Sequence, residues 1–221
     1  MAKNLTKTIV VIKTIFVGLF VFMQSSFAQE ITETRDLTGF DRIRIDNMGI
    51  ELEIFAGEDF EVEIEGSEVN VQSLRTKVSK NQLVIYPIDD KKRWGRRGNS
   101  GLSVVIRMPK FTGLDLRGAV DAEIEGVNSE EIEFDIKGAG NIEVEGTCGT
   151  LTIDFKGAGN LEADDLECKI VDVDLKGAGK IEVYASEEVN AEISGMGTIE
   201  VDGSPKKVTK DDGFFSHIRI H

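Results

Sequence analysis

Two cysteines, three prolines, two histidines and one tryptophan are spread over 221 residues. Two thiols cannot build a disulfide-dense scaffold or a four-cysteine metal site. The histidines, His217 and His221, both lie at the tail, so no spaced His pair exists to ligate zinc or to serve a nucleophile. No nucleophile elbow and no phosphate-binding glycine loop is present. Long apolar runs are missing too: the best, Ile15 to Met23, is short for a membrane-spanning helix. Positive charge is the scarcer sign, with 26 Lys and Arg against 40 Asp and Glu and a net charge of −14. That balance disfavours nucleic acid and anionic membranes as partners and favours cations or basic surfaces.

Glycine, by contrast, is plentiful, and it is periodic. The phrase Ile136-Lys137-Gly138-Ala139-Gly140-Asn141-Ile142-Glu143-Val144 returns in stretches starting at Phe155, Leu175 and Ile193, with a weaker copy at Leu116-Arg117-Gly118-Ala119-Val120. The first glycines, Gly118, Gly138, Gly157, Gly177 and Gly195, are 20, 19, 20 and 18 residues apart. A period near twenty points to a solenoid.

Offsets from each first glycine sort by parity. Two before stand Leu116, Ile136, Phe155, Leu175 and Ile193; four after stand Ala122, Ile142, Leu161, Ile181 and Ile199. Positions six before, four before and six after are similarly apolar, whereas odd offsets are mostly charged or polar. This is a period of two, so each repeat reads as strand, glycine corner, strand. One apolar face per repeat is buried only when repeats stack, which predicts an all-β, single-stranded parallel β-helix of ~20-residue coils. Residues 113–203 hold the regular repeats. Residues 30 to 86 alternate less regularly and read as the opening coils of the same helix, with Phe214 to Ile220 closing its far end.

Residues 1–28 read as a signal peptide: Lys3, Lys7 and Lys13, the apolar run, then a small-x-small cleavage site at Ser26-Phe27-Ala28. The rival reading is an uncleaved membrane anchor, for which the apolar run is short; cleavage leaves a domain over residues 29–221 without a transmembrane segment. Losing three lysines and no acid takes the net charge from −14 to −17. The product is exported, to the periplasm, the outer surface or the medium.

Residues 89–101 interrupt the pattern. Five of the seven residues from Lys91 to Arg97 are basic, and Trp94 stands among them. The bland reading is a solvated loop. The functional one makes Lys91, Lys92, Arg93, Trp94, Arg96 and Arg97 a binding loop, with an aromatic platform and guanidinium clamps for carboxylate, phosphate or sugar acid. Docking on the acidic flank of another copy is a third use.

Stacking also turns odd offsets into ladders. Asp115, Asp135, Asp154, Asp174 and Glu192 run beside Arg117, Lys137, Lys156 and Lys176, and these compensate each other. Across the corner, Glu123, Glu143, Glu162, Glu182 and Glu200 form an uncompensated column. Glu125, Glu145, Asp164 and Asp202 form the next, interrupted by Tyr184. Such a flank is either a solvated acidic face or a weak Ca²⁺ surface; no calcium-loop motif is present, and no metal site is assigned. Asn141 and Asn160 offer hydrogen bonds between coils.

Cys148 and Cys168 each lie nine residues before a repeat glycine, so they occupy the same place on successive coils, within disulfide reach. An oxidising destination favours the bond; two stacked free thiols are the alternative.

The repeated G-A-G-N-I/L-E phrase (Gly138 to Glu143, Gly157 to Glu162), led by Arg107-Met108-Pro109, resembles the head GIN domain, a domain of unknown function in Bacteroidetes-type bacteria described as an auto-transporter adhesin head. The resemblance covers about Phe40 to His221. It implies a right-handed parallel β-helix and an adhesin-like function, although no stretch resembles an autotransporter's membrane barrel. Three functions follow. The first is a non-catalytic binding module for a glycan or an envelope or matrix component, with no cofactor. The second is a structural β-helix that assembles into homo-oligomers. The third is a polysaccharide-active enzyme, for which the periodic carboxylates name no catalytic residue.

Overall fold

The computed structural model describes residues 30–88 and 101–221. The elements in chain order are β1 (Glu30–Thr34), β2 (Arg42–Ala56), β3 (Glu61–Ser67), α1 (Glu68–Ser73), β4 (Leu74–Ser79), β5 (Gln82–Pro87), β6 (Leu102–Met108), β7 (Gly113–Leu175), β8 (Ala178–Ile193), β9 (Met196–Gly203), β10 (Lys207–Asp212) and β11 (His217–Ile220). All strands join one mixed sheet whose main path is β1-β3-β6-β2-β7-β8-β9-β11.

From β2 onward the repeats lie parallel on one another. Ile45 pairs with Leu116 and Ile54 with Ile124; Leu161 pairs with Ile181 and Ile181 with Ile199. The reason is burial. Leu116, Ile136, Phe155, Leu175 and Ile193 form one column, each at most 3% exposed, and the columns four before, four after and six after the glycines are buried throughout. Thr112, six before Gly118, is only half-buried. The whole interior is one apolar cluster from Phe40 to Ile218.

The corners are where one coil sits closest to the next. A Cβ on Gly138 would lie 1.9 Å from the carbonyl oxygen of Gly118, and one on Gly157 would lie 1.8 Å from that of Gly138. No side chain fits there, which accounts for glycine at that position in every regular repeat.

The opening segment differs from a run of parallel coils. β2 is such a coil, but β3 runs antiparallel to β6, β1 antiparallel to β3, and β4 and β5 form an antiparallel hairpin. The chain reverses after β2 through Gly57, whose φ of +92° suits glycine. The short α1 is capped by Ser67, whose hydroxyl accepts from Asn70 N–H. The chain is therefore all-β with a mixed sheet, not parallel throughout.

At the opposite end, β10 stacks on β8 and β11 on β9. Ile218 is buried over Ile199 and closes part of the core. Phe214 and Phe215 do not; they are 93% and 73% exposed. The register also sets Lys210 over Ala191 and Asp212 over Ile193, both core columns. Charges at inward positions of a terminal strand discourage another sheet from adding there.

Cys148 and Cys168 are joined by a disulfide with a Cα–Cα distance of 4.5 Å. The bond bridges a loop of 20 residues, for which chain-entropy arguments give a stabilisation of about 3 kcal/mol. The Cys148→Ser, Cys168→Ser double variant should lose about that much in denaturant unfolding. Adding reductant should lower the unfolding midpoint of the parent protein and leave the double variant unchanged.

Candidate functional site

The basic residues Lys91, Lys92, Arg93, Trp94, Arg96 and Arg97 lie outside the described residues. Their anchors do not. β5 stacks on the leading half of β2, from Arg42↔Gln82 to Ile45↔Ile85, and β6 stacks on its trailing half, from Glu51↔Ser103 to Ala56↔Met108. The strands on either side of the insertion thus lie over the two strands that flank Asn47, Met48 and Gly49. Ile88 at its near end is 53% exposed.

The corner edge continues down the stack from there. A groove of about 270 Å³ follows it, lined by Ile50, Ala119, Val120, Ala139, Gly140, Ala158 and their neighbours. Beside it runs a second of about 320 Å³, with Leu52, Ala122 and Ile142 between Asp121, Glu123, Glu143 and Glu162. The edge ends at Met196, 64% exposed, and at the Phe214–Phe215 pair, whose rings pack edge-on with centroids 5.0 Å apart.

The flanking charges are arranged by the register. On the leading side, Lys137 pairs with Asp135 at 2.7 Å, and Lys156 with Asp154 and Lys176 with Asp174 do the same within their own coils. The second carboxylate oxygens of Asp135, Asp154 and Asp174 are buried without a hydrogen-bond partner, which limits what these pairs contribute. Asp115 is served differently. It accepts from Arg42 and from Gln82 Nε2 at 2.6 Å. Arg42 also reaches Glu133 at 2.9 Å. It passes the place of a Gly113 side chain, since a Cβ there would lie 2.9 Å from its Nη1. Burial opposes the Arg42 charge, but Asp115 and Glu133 outweigh it and hold the guanidinium above its ordinary pKa. Arg42 and Glu133, with Lys110, Thr112, Thr150 and Thr152, line a polar hollow of about 510 Å³. Sequence reasoning missed it because the partners lie 73 and 91 residues from Arg42.

On the trailing side the acidic column is compensated at one end only. Lys180 bridges Glu182 and Glu200, each at 2.7 Å, and Arg219 adds a second contact to Glu200 at 2.9 Å. These bonds raise the Lys180 pKa and lower that of Glu200. No ion pair to Glu123, Glu143 or Glu162 forms among the described residues, and Glu125 is pushed up by partial desolvation and by Glu123 and Glu145. A bulge shifts the neighbouring column, so Tyr184 stands beside Glu167 and not in the line of Asp164. Asn141 donates to Asp121 on the previous coil at 3.0 Å. Among the described residues no group of three or more His, Cys, Asp or Glu is placed to hold a metal ion, and no helix is long and apolar enough to cross a membrane.

Comparison with known proteins agrees with this architecture. The family described as "Putative auto-transporter adhesin, head GIN domain" matches residues 39–205. A crystal structure of a "putative adhesin" from Bacteroides fragilis superposes with a TM-score of 0.67 at 22% identity, covering 87% of this chain and 97% of that one. A "putative adhesin" from Parabacteroides distasonis gives a TM-score of 0.50 at 11% identity, covering 88% and 98%. Among curated proteins none matches.

Proposed function

Because the chain belongs to the family described as "Putative auto-transporter adhesin, head GIN domain", we propose that it is an exported, non-catalytic binding module that attaches to a glycan or to an envelope or matrix component. Its domain over residues 29–221, released by cleavage of a signal peptide at residues 1–28, is on this reading a single-stranded, right-handed β-helix in its parallel coils, with β1, β3 and β4 added antiparallel at the opening end. Periplasm, outer surface and medium are all open to such a product. The binding element is the basic insertion of residues 89–101, with Lys91, Lys92, Arg93, Trp94, Arg96 and Arg97 as contacts. Regular repeats at 113–203 are the rigid stalk beneath it.

One observation carries the assignment of the site: the strands on either side of that insertion lie over the two strands that flank Asn47, Met48 and Gly49. An insertion of a dozen residues costs the stack little, since its two flanking strands keep their register. An indole among guanidinium groups suits sugar rings bearing carboxylate or sulfate, by stacking and by paired hydrogen bonds.

The test is attachment to immobilised polygalacturonate and to a sulfated glycosaminoglycan by the parent and by the Trp94→Ala, Arg96→Ala, Arg97→Ala variant. Loss of one buried anchor at such an interface costs about 2 kcal/mol or more, so binding should weaken by about thirtyfold or more. Thermal unfolding should be unchanged. Equal attachment by both proteins removes the insertion as the site. Fractionation of the source cells decides the compartment.

A further inference from the structure

The exposed Phe214–Phe215 pair is not explained by the fold, since Ile218 covers the core beneath it. The turn that carries it is held, with Ser216 Oγ donating to Gly213 O at 3.1 Å, so the rings are presented and not frayed. They stand at one end of the corner edge. At the other end of the same edge lies the apolar groove over Ala119, Ala139 and Ala158, at about 270 Å³ large enough for aromatic rings.

We propose that the corner edge is a self-association surface, on which two copies pack antiparallel and each inserts Phe214 and Phe215 into the other's groove. The spacing is self-consistent. Counting corners from Gly177-Ala178-Gly179, the phenylalanines lie two corners one way and Gly138 to Asn141 two corners the other way. A two-fold axis at that central corner brings both pairs into their grooves at once, about 10 Å to either side at ~4.8 Å per coil. Glycine and alanine at the axis permit close approach, and Met196 meets Ala158 on the way.

Charge complementarity picks the second copy as occupant. A two-fold axis lying across the edge keeps the trailing side of one copy against the trailing side of the other. Arg219, which ends the trailing column beside Glu200, then comes level with Glu143 of the second copy, a carboxylate without an ion pair among the described residues. Stacking by coil ends is the rival geometry, and Lys210 and Asp212 over the core columns oppose it. The contact leaves Ile88 and Gly101 beyond the partner's end, and the variants that test it do not alter the proposed binding element.

One edge about five coils long is small for a specific interface, so dimerisation should appear at micromolar concentrations and above. Sedimentation velocity of the purified protein over a concentration series should show a dimer whose fraction falls with salt. Phe214→Ser with Phe215→Ser should remain monomeric throughout, as should Ala139→Arg, which fills the groove from an exposed position. Glu143→Arg should weaken the dimer at least tenfold, and adding Arg219→Glu should restore it. A parent that stays monomeric at every concentration overturns the proposal. So does a dimer that survives the phenylalanine and Ala139→Arg variants.

Discussion

Replacing Gly157 with alanine is expected to destabilise the protein by more than about 4 kcal/mol, well beyond the usual range for a single methyl group. The added Cβ would sit 1.8 Å from the backbone oxygen of Gly138. A side chain in the way could rotate aside, but a peptide oxygen moves only with its coil. Two coils would have to part by over an ångström at the point where their strands turn, and Lys176 N–H donates to Phe155 O at 2.8 Å close by. The clash is therefore relieved by breaking neighbouring hydrogen bonds and opening the core below. Urea unfolding measures the loss; Ala158→Ser, at the exposed next position, should stay within about 0.5 kcal/mol of the parent. A Gly157→Ala protein within about 1 kcal/mol of the parent would mean that the corners are not in contact.

The same contact explains why so much of the repeat region was legible in the sequence. Burial of alternate residues forces a period of two, and the close corner forces glycine once per coil, so both constraints print themselves on the chain. Ile136, Phe155 and Leu175 could be placed in one column from spacing alone. Direction could not. Ile43-Arg44-Ile45 and Phe60-Glu61-Val62-Glu63-Ile64 alternate alike, yet β2 is parallel to its neighbours while β3 is antiparallel to β6. Alternation reports which face is buried and is silent on which way the strand runs. The turn at Gly57 decides that.

At the candidate site the split is similar. The basic insertion stood out by composition, but where its flanking strands lie needed the register of β5 and β6 on β2. Phe214 and Phe215 look in sequence like a plug for the core. They face solvent because the Gly213–Ser216 turn stands where the last corner falls, and corners point outward throughout the stack. Their column contains Ala119, Ala139, Ala158, Ala178 and Met196, all exposed. Arg42 carried no signal, because its partners come from coils far along the chain and its path opens only where Gly113 lacks a side chain.

Phe155→Ala is the second change with a large expected effect. Its ring is fully buried in the column between Ile136 and Leu175. Removing it deletes the largest side chain of that column and leaves a cavity. Neighbours above and below are held in place by strand pairing, so little collapse can fill the space, and the expected loss is about 3–5 kcal/mol. Phe155→Leu should cost much less, about 1 kcal/mol, because leucine already serves at the equivalent positions Leu116 and Leu175. Equilibrium unfolding of the two variants separates a packed column from mere hydrophobic composition. If the column is packed, the alanine variant unfolds at far lower urea with an unchanged m-value. If both variants lose the same small amount, the ring at 155 is not holding the coils together.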